Sequence, residues 1–174
     1  GHVNPDLRIL QLSAGSDDRN AGQAVLKSLV GHNDIKRYRE YVATDASAER
    51  LDSFRETVSA FRDVRSSVLD ISQDPSEQGF QIGTYDMILW SNVEHGPATE
   101  QALANAKKLL HPGGHLILVD RMNSSELAWD QCLRRTGFDS GSKLVCREAD
   151  LRSTIILSTL SDPVSTTKSG NPVV

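Results

Sequence analysis

A chain of 174 residues that is 38% hydrophobic and carries a formal charge of −4 suits one mildly acidic, soluble domain with a proper core. Lys and Arg are scattered rather than clustered, which argues against nucleic acid. No apolar run approaches the roughly 20 residues of a membrane span, and the N-terminus lacks the pattern of a signal peptide. Cys132 and Cys146 lie far apart without metal-ligand spacing, so they read as reduced thiols of a cytosolic protein with no metal site.

After a polar lead-in, Gly1 to Asp6, the stretch Leu7 to Asp18 reads as a buried strand running into a tight loop with Gly15 at the turn. A helical pattern opens near Gln23, with a stripe of Ala24, Val25, Leu26, Leu29 and Val30 that ends at Gly31. Strand, glycine-containing turn and helix form the opening unit of a nucleotide-binding α/β fold. Tyr41 to Thr44 is a second strand closed by Asp45, and Ala48 to Phe61 is helical through Leu51, Phe54, Val58 and Phe61. Ser67 to Ile71 reads as a third strand, and Gln73 to Thr84 as a loop. Tyr85 to Trp90 is nearly all apolar, as a central parallel strand should be. Ala98 to Leu110 is a helix stopped by Pro112-Gly113-Gly114, and His115 to Asp120 is the fifth strand. Ser125 to Thr136 is helical and ends at Gly137. Lys143 to Arg147 and Ser153 to Leu160 form a last antiparallel hairpin.

These elements predict an α/β doubly wound sheet of seven strands, mostly parallel, with one antiparallel strand in the C-terminal hairpin. Residues 1–160 form one core domain, and 161–174, rich in Ser, Thr and Pro, read as linker or tail. In such sheets ligands bind at the carboxyl ends of the strands. Those ends carry Ser13 to Asp18, Asp45, Asp70-Ile71, Asn92 to His95, and Asp120. An acid ending the second strand can hold both hydroxyls of a ribose, and one ending the third can accept from an adenine amino group. Each could equally be a helix cap or turn residue; Asp45 stands just before Ala46-Ser47 and the next helix.

Across almost its whole length the chain resembles the C-methyltransferase domain of fungal highly reducing polyketide synthases, a member of the class I, Rossmann-like methyltransferase fold. The resemblance rests on His2-Val3-Asn4-Pro5, Tyr41 to Ser47, Val68 to Ile71, Tyr85-Asp86, Ser91 to His95, Leu109 to Gly114 and Arg134 to Phe138. It implies an S-adenosylmethionine site. Ser13 and Gly15 would lie in its first loop, Asp45 at the ribose, Asp70 and Ile71 on the adenine side, with Asn92 a further cofactor-binding position. It also implies that His95 is the base that removes the proton between two carbonyls of a carrier-bound β-ketoacyl chain, with Asp120 orienting it where the family has glutamate. A histidine–carboxylate pair suits such a base near neutral pH.

Three departures from the family point to a domain that has lost methylation. The family's loop, Glu-Ile-Gly-Ala-Gly-Thr-Gly-Gly, is here Gln11 to Asp18 and keeps only Gly15 of the three patterned glycines. A carboxylate of Asp17 or Asp18 about 4 Å from the cofactor's own would repel it by ~4 kcal/mol at an effective dielectric near 20, or ~1000-fold in affinity. The family's long insertion after the fifth strand is missing, since Asp120 is followed by only a few residues before Leu127-Ala128-Trp129. The helical lid that precedes the family's core does not lie within these 174 residues, a departure of little weight because it could be missing from this stretch alone. The expectation is a pseudoenzyme, kept as a cytoplasmic structural module of a multifunctional polyketide synthase for secondary metabolism. Its partners would be neighbouring domains, including the acyl carrier. The alternative is an active C-methyltransferase acting on the α-carbon of carrier-bound β-ketoacyl thioesters. A nicotinamide-dependent reductase fits poorly, because Ser13-x-Gly15-x-x-Asp18 is a weak dinucleotide fingerprint and a Tyr-x-x-x-Lys pair is lacking. A domain-docking module is compatible with the first reading.

Overall fold

The computed structural model describes residues 6–16, 21–30, 35–93, 95–120, 126–139, 142–148 and 151–160. Gly1–Pro5, Asp17, Asp18 and the tail from Ser161 lie outside the described residues, as do the side chains of Asp120 and Cys146. The strands are β1 (Arg8–Leu12), β2 (Glu40–Asp45), β3 (Val64–Val68), β4 (Tyr85–Ser91), β5 (Leu110–Asp120), β6 (Ser142–Glu148) and β7 (Leu151–Thr159). The helices are α1 (Ala21–Leu29), α2 (Ala48–Val58), α3 (Thr99–Leu109) and α4 (Glu126–Thr136). One sheet joins the strands in the order β3-β2-β1-β4-β5-β7-β6. The first five run parallel, while β7 is antiparallel to both β5 and β6.

The central strands are apolar on both faces because helices cover both. Leu10, Leu12, Val42, Ile88 and Trp90 turn one way, into a core shared with Leu103 and Ala106 of α3 and Trp129 and Leu133 of α4. Ile9, Tyr41 and Ala43 turn the other way, against Leu26 of α1 and Leu51, Phe54 and Val58 of α2. This alternation fixes register, since a one-residue slip would exchange the two cores. Arg134 and Leu133 carbonyls take the amides of Gly137 and Phe138, so Gly137 (φ +88°) ends α4 as expected.

Most boundaries fall within two residues of the sequence reading, and three differ by more. Helix α2 stops at Val58; Phe61 still packs on its core from the turn beyond. The third strand is Val64–Val68, three residues earlier than expected. It is a polar edge strand, so it lacks the apolar signal that Leu69 and Ile71 carry. Leu69 and Ile71 lie past its end, packed onto the first core from a loop. Pro112-Gly113-Gly114 does not precede β5 but sits within it. There Asp86 alone stands opposite His111–Gly114, between the pairs Tyr85–Leu110 and Met87–His115. The extra residues bulge out. Leu160 holds them by accepting the Gly113 amide and donating to Gly114 (3.2 and 2.9 Å), and Gly113 takes φ +80°.

Candidate functional site

Because β1 to β5 are parallel, their carboxyl ends share one edge. In sheet order this edge carries Asp70 beyond β3, Asp45 closing β2, Ser13 after β1, Asn92 after β4 and Asp120 closing β5. The fold therefore aligns the residues singled out at the strand ends.

Asp45 is buried, with 3% of its surface exposed. The Gly15 amide donates to its Oδ2 at 3.1 Å, the Ser47 amide donates to its Oδ1 at 3.0 Å, and Arg50 Nε lies 3.5 Å from the same oxygen. The carboxylate braces the entry to α2, where Ser47 is the N-cap, and it also pins the first loop. That loop is a single 3-10 turn, Ala14–Ser16, lying on α2. A Cβ at Gly15 would stand 2.3 Å from Arg50 Cβ and 2.7 Å from its carbonyl carbon. Gly15 is thus a glycine because α2 approaches it closely, not because an open cradle adjoins it. Ser13 sits at φ +56°, so it keeps a glycine's left-handed conformation at a position where the resembled family has glycine.

Gln11, in place of the family's acid, is fully buried. It accepts from Tyr41 OH at 2.6 Å and lies against Gly22 of α1, where a Cβ would come within 2.2 Å of its Oε1. Asp70 makes a local turn: its Oδ1 accepts from the amide and hydroxyl of Ser72 at 3.0 and 2.6 Å. Gln78 bridges the Asp70 amide and carbonyl, and Asn105 of α3 donates to the carbonyls of Ile71 and Gln73. These two carboxamides fix the loop that carries Asp70 and Ile71. Their signal in the sequence was only a polar residue on an otherwise apolar helix face (Asn105) and one inside a loop (Gln78).

Asn92 sits at φ +58°, a conformation asparagine tolerates, and so turns the chain away from β4. The preceding Ser91 is buried, and its hydroxyl has no hydrogen-bond partner among the described residues. It was not anticipated; a serine ending an apolar strand was the available hint. His95 is exposed and stands edge-on to the buried Trp129 of α4, with ring centroids 5.4 Å apart and planes at 86°. Trp129 thus gives the imidazole an apolar edge-on neighbour. The Asp120 carboxylate, and the Asp17 and Asp18 side chains on which the repulsion argument rested, lie outside the described atoms. Among the described residues there is no group of three or more metal-ligating side chains, and no helix is long and apolar enough to cross a membrane.

The adenosyl cofactor implied by the resemblance requires a reachable acid at the end of β2 and free loop amides beside it. Asp45 has lone pairs to spare but no access, and the Gly15 amide is already given to it. In this conformation Asp45 is enclosed and the Gly15 amide beside it is taken.

Residues 15–116 match the family described as methyltransferase domain. The chain is 59% identical over 121 residues to highly reducing polyketide synthase xilA of Penicillium rubens, an overlap that covers 70% of the chain and 5% of that synthase. It is 31% identical to prosolanapyrone synthase of Alternaria solani over 207 residues, covering all of the chain and 8% of that protein. That alignment is longer than the chain, so the synthase carries residues within this region that have no counterpart here. Among solved structures, the trans-methyltransferase CalH in complex with SAH superposes with a TM-score of 0.81 at 28% identity, over 91% of this chain and 52% of CalH. The citrinin polyketide synthase CMeT domain gives 0.70 at 18% identity, over 91% and 47%, a likeness of fold.

Proposed function

Because this chain belongs to the methyltransferase domain family, we propose that it is a degenerate C-methyltransferase domain of a polyketide synthase, with methylation lost and the fold retained as a structural module. The observation that carries this reading is the buried Asp45 carboxylate, enclosed by Gly15, Ser47 and Arg50. A ribose could reach that acid only if the first loop left its place on α2. The curated relatives are synthases of which the chain spans about 5–8%, which supports further domains of one long polypeptide as its partners. On this reading the acyl carrier is one of them and the setting is the cytoplasm. Calorimetric titration with S-adenosylmethionine and S-adenosylhomocysteine tests the reading. It expects no saturable binding into the millimolar range; a micromolar dissociation constant overturns it.

His95 favours a second reading, an active C-methyltransferase on β-ketoacyl thioesters. Its ring is exposed at the strand-end edge and set against Trp129, as a positioned base would be. On this reading Asp120 is its orienting carboxylate, and Ser13, Gly15, Asp45, Asp70, Ile71 and Asn92 surround the cofactor once the loop opens. Methyl transfer to a carrier-bound β-ketoacyl chain that disappears in His95→Ala would establish this reading in place of the first.

A further inference from the structure

The opposite edge of the sheet, where β1, β2 and β3 begin, carries a concentration of positive charge in a chain whose net charge is −4. Residues 35–39 run beside 61–65. Tyr38 OH donates to the Arg62 carbonyl at 2.7 Å, the Tyr41 amide donates to the Asp63 carbonyl at 3.0 Å, and Lys36 pairs with Asp63. A cavity of about 370 Å³ opens here, lined by Arg8, Arg39, Glu40, Asp63, Val64 and Arg65. It shares Arg8, Glu40 and Arg65 with a second cavity of about 270 Å³ that runs on past Phe80, Gln81 and Tyr85.

The charges in this trough do not cancel. Glu40 is the one acid between two guanidinium groups, 2.6 Å from Arg65 Nε and 3.5 Å from an Arg8 terminal nitrogen. Arg8 Nε is buried without an acceptor among the described residues. Asp63 is held by Lys36, and exposed Arg39 has no side-chain partner among the described residues. Three guanidinium groups and two acids line the trough, Lys36 offsets Asp63 from outside it, and Asp86 at the same edge accepts the Arg8 amide at 2.8 Å, which leaves a small positive excess. Guanidinium forks match phosphate oxygens as they match a carboxylate, and a tetrahedral dianion can take charge-assisted donors from several of them at once. The continuation past half-buried Phe80 and the side chains of Gln81 and Tyr85 gives an organic body a place to lie.

We infer that this trough binds a phosphomonoester, with the phosphate on Arg39, Arg65 and Arg8 and the organic portion along Phe80 and Gln81. The site lies at the sheet edge away from Asp45 and His95, so it stands whether or not methyl transfer survives.

The test is calorimetric titration of the 174-residue chain with phenyl phosphate and with orthophosphate at fixed ionic strength, with sodium chloride as control. Saturable binding of phenyl phosphate, tighter than that of orthophosphate, is expected. Arg39→Ala and Arg65→Ala, checked for native circular dichroism, should each weaken it about tenfold, the loss of one charge-assisted contact. Arg39→Lys should recover part of the loss. Phosphates that do no better than chloride, or affinities unchanged in both alanine variants, overturn the site. Equal affinity for the two phosphates overturns its assignment to an ester and leaves a free-ion site.

Discussion

The Gly15 amide donates to Asp45 Oδ2 at 3.1 Å, joining the loop after β1 to the end of β2 across thirty residues of sequence. With the Ser47 amide on the other oxygen, the carboxylate serves two backbone donors from inside the protein. Asp45→Asn must then turn an NH2 group toward one of those donors. The expected cost is about 1–3 kcal/mol, the range for a buried polar group left unpaired. Urea unfolding measures it. An unchanged midpoint would mean that Asp45 is not a structural residue and stands available to a ligand.

Gly15→Ala probes the same join from the other side. The new Cβ would meet Arg50 Cβ at 2.3 Å, its carbonyl carbon at 2.7 Å and its oxygen at 2.8 Å. Two of these atoms are helix backbone and cannot swing away, so the loop must lift. Overpacking of this kind costs about 1–3 kcal/mol. Gly96→Ala, where nothing lies within 4 Å and no left-handed conformation is needed, is the matched control and should be nearly silent. If both variants unfold at the wild-type denaturant concentration, the loop does not rest on α2 in solution.

Ser13 invites the reverse change. At φ +56° its Cβ is strained by about 1–2 kcal/mol, which glycine would relieve. Glycine also frees the unfolded chain, at a cost of about 0.4–1 kcal/mol. Ser13→Gly should therefore leave stability unchanged or raise it, by up to about 1.6 kcal/mol, whereas Ser13→Val should lower it. A clear loss in Ser13→Gly would show that the hydroxyl holds the loop.

The Cys132 thiol is 1% exposed, in the core beside Trp129 and Leu133. Burial pushes its pKa above the ordinary thiol value, Glu100 adds to the rise, and Arg135 opposes it. Little thiolate forms at neutral pH, and little reagent reaches it. Peptide mapping after iodoacetamide treatment should find Cys132 unmodified in the native chain and modified in urea. Native labelling within minutes would contradict the packing of α4.

The two-faced core was legible because Ile9, Leu10, Tyr41, Val42, Ile88 and Trp90 give nearly unbroken apolar runs, which only buried parallel strands need. Strand β3 was displaced in the sequence reading because Val-Arg-Ser-Ser-Val at a sheet edge has no such run, while Leu69 and Ile71 beyond it do. Pro112-Gly113-Gly114 reads locally as a stop. That it is a bulge depends on Leu160, some fifty residues further on. Asp45 was legible as either a helix brace or a ligand acid. What no local pattern contained was the Gly15 amide that occupies it, because that contact exists only once β1 and β2 lie side by side.

Asp74 offers a pH test of the loop that carries Asp70. Its Oδ2 receives Lys108 Nζ at 2.5 Å, and its Oδ1 accepts from the amide and hydroxyl of Ser76 at 2.9 and 2.6 Å. Lys108 first, then Ser76, hold its pKa down at about 2, against an ordinary value of 3.8. The folded carboxylate is the more acidic, so the unfolded chain takes up the proton first as pH falls. The pair's contribution is full at about pH 5 and above, declines as the unfolded carboxyl protonates around 3.8, and is gone only below the folded midpoint near 2. It is a surface pair and its contribution is small. Lys108→Ala removes the larger cause. In a carboxyl-carbon NMR titration, the Asp74 midpoint should move up from about 2 toward 3.8 in this variant. The stability gap between wild type and variant should also narrow between pH 5 and pH 2. A gap that stays constant over that interval would mean that Lys108 does not hold Asp74 in solution, and that the loop is anchored by Gln78 and Asn105 alone.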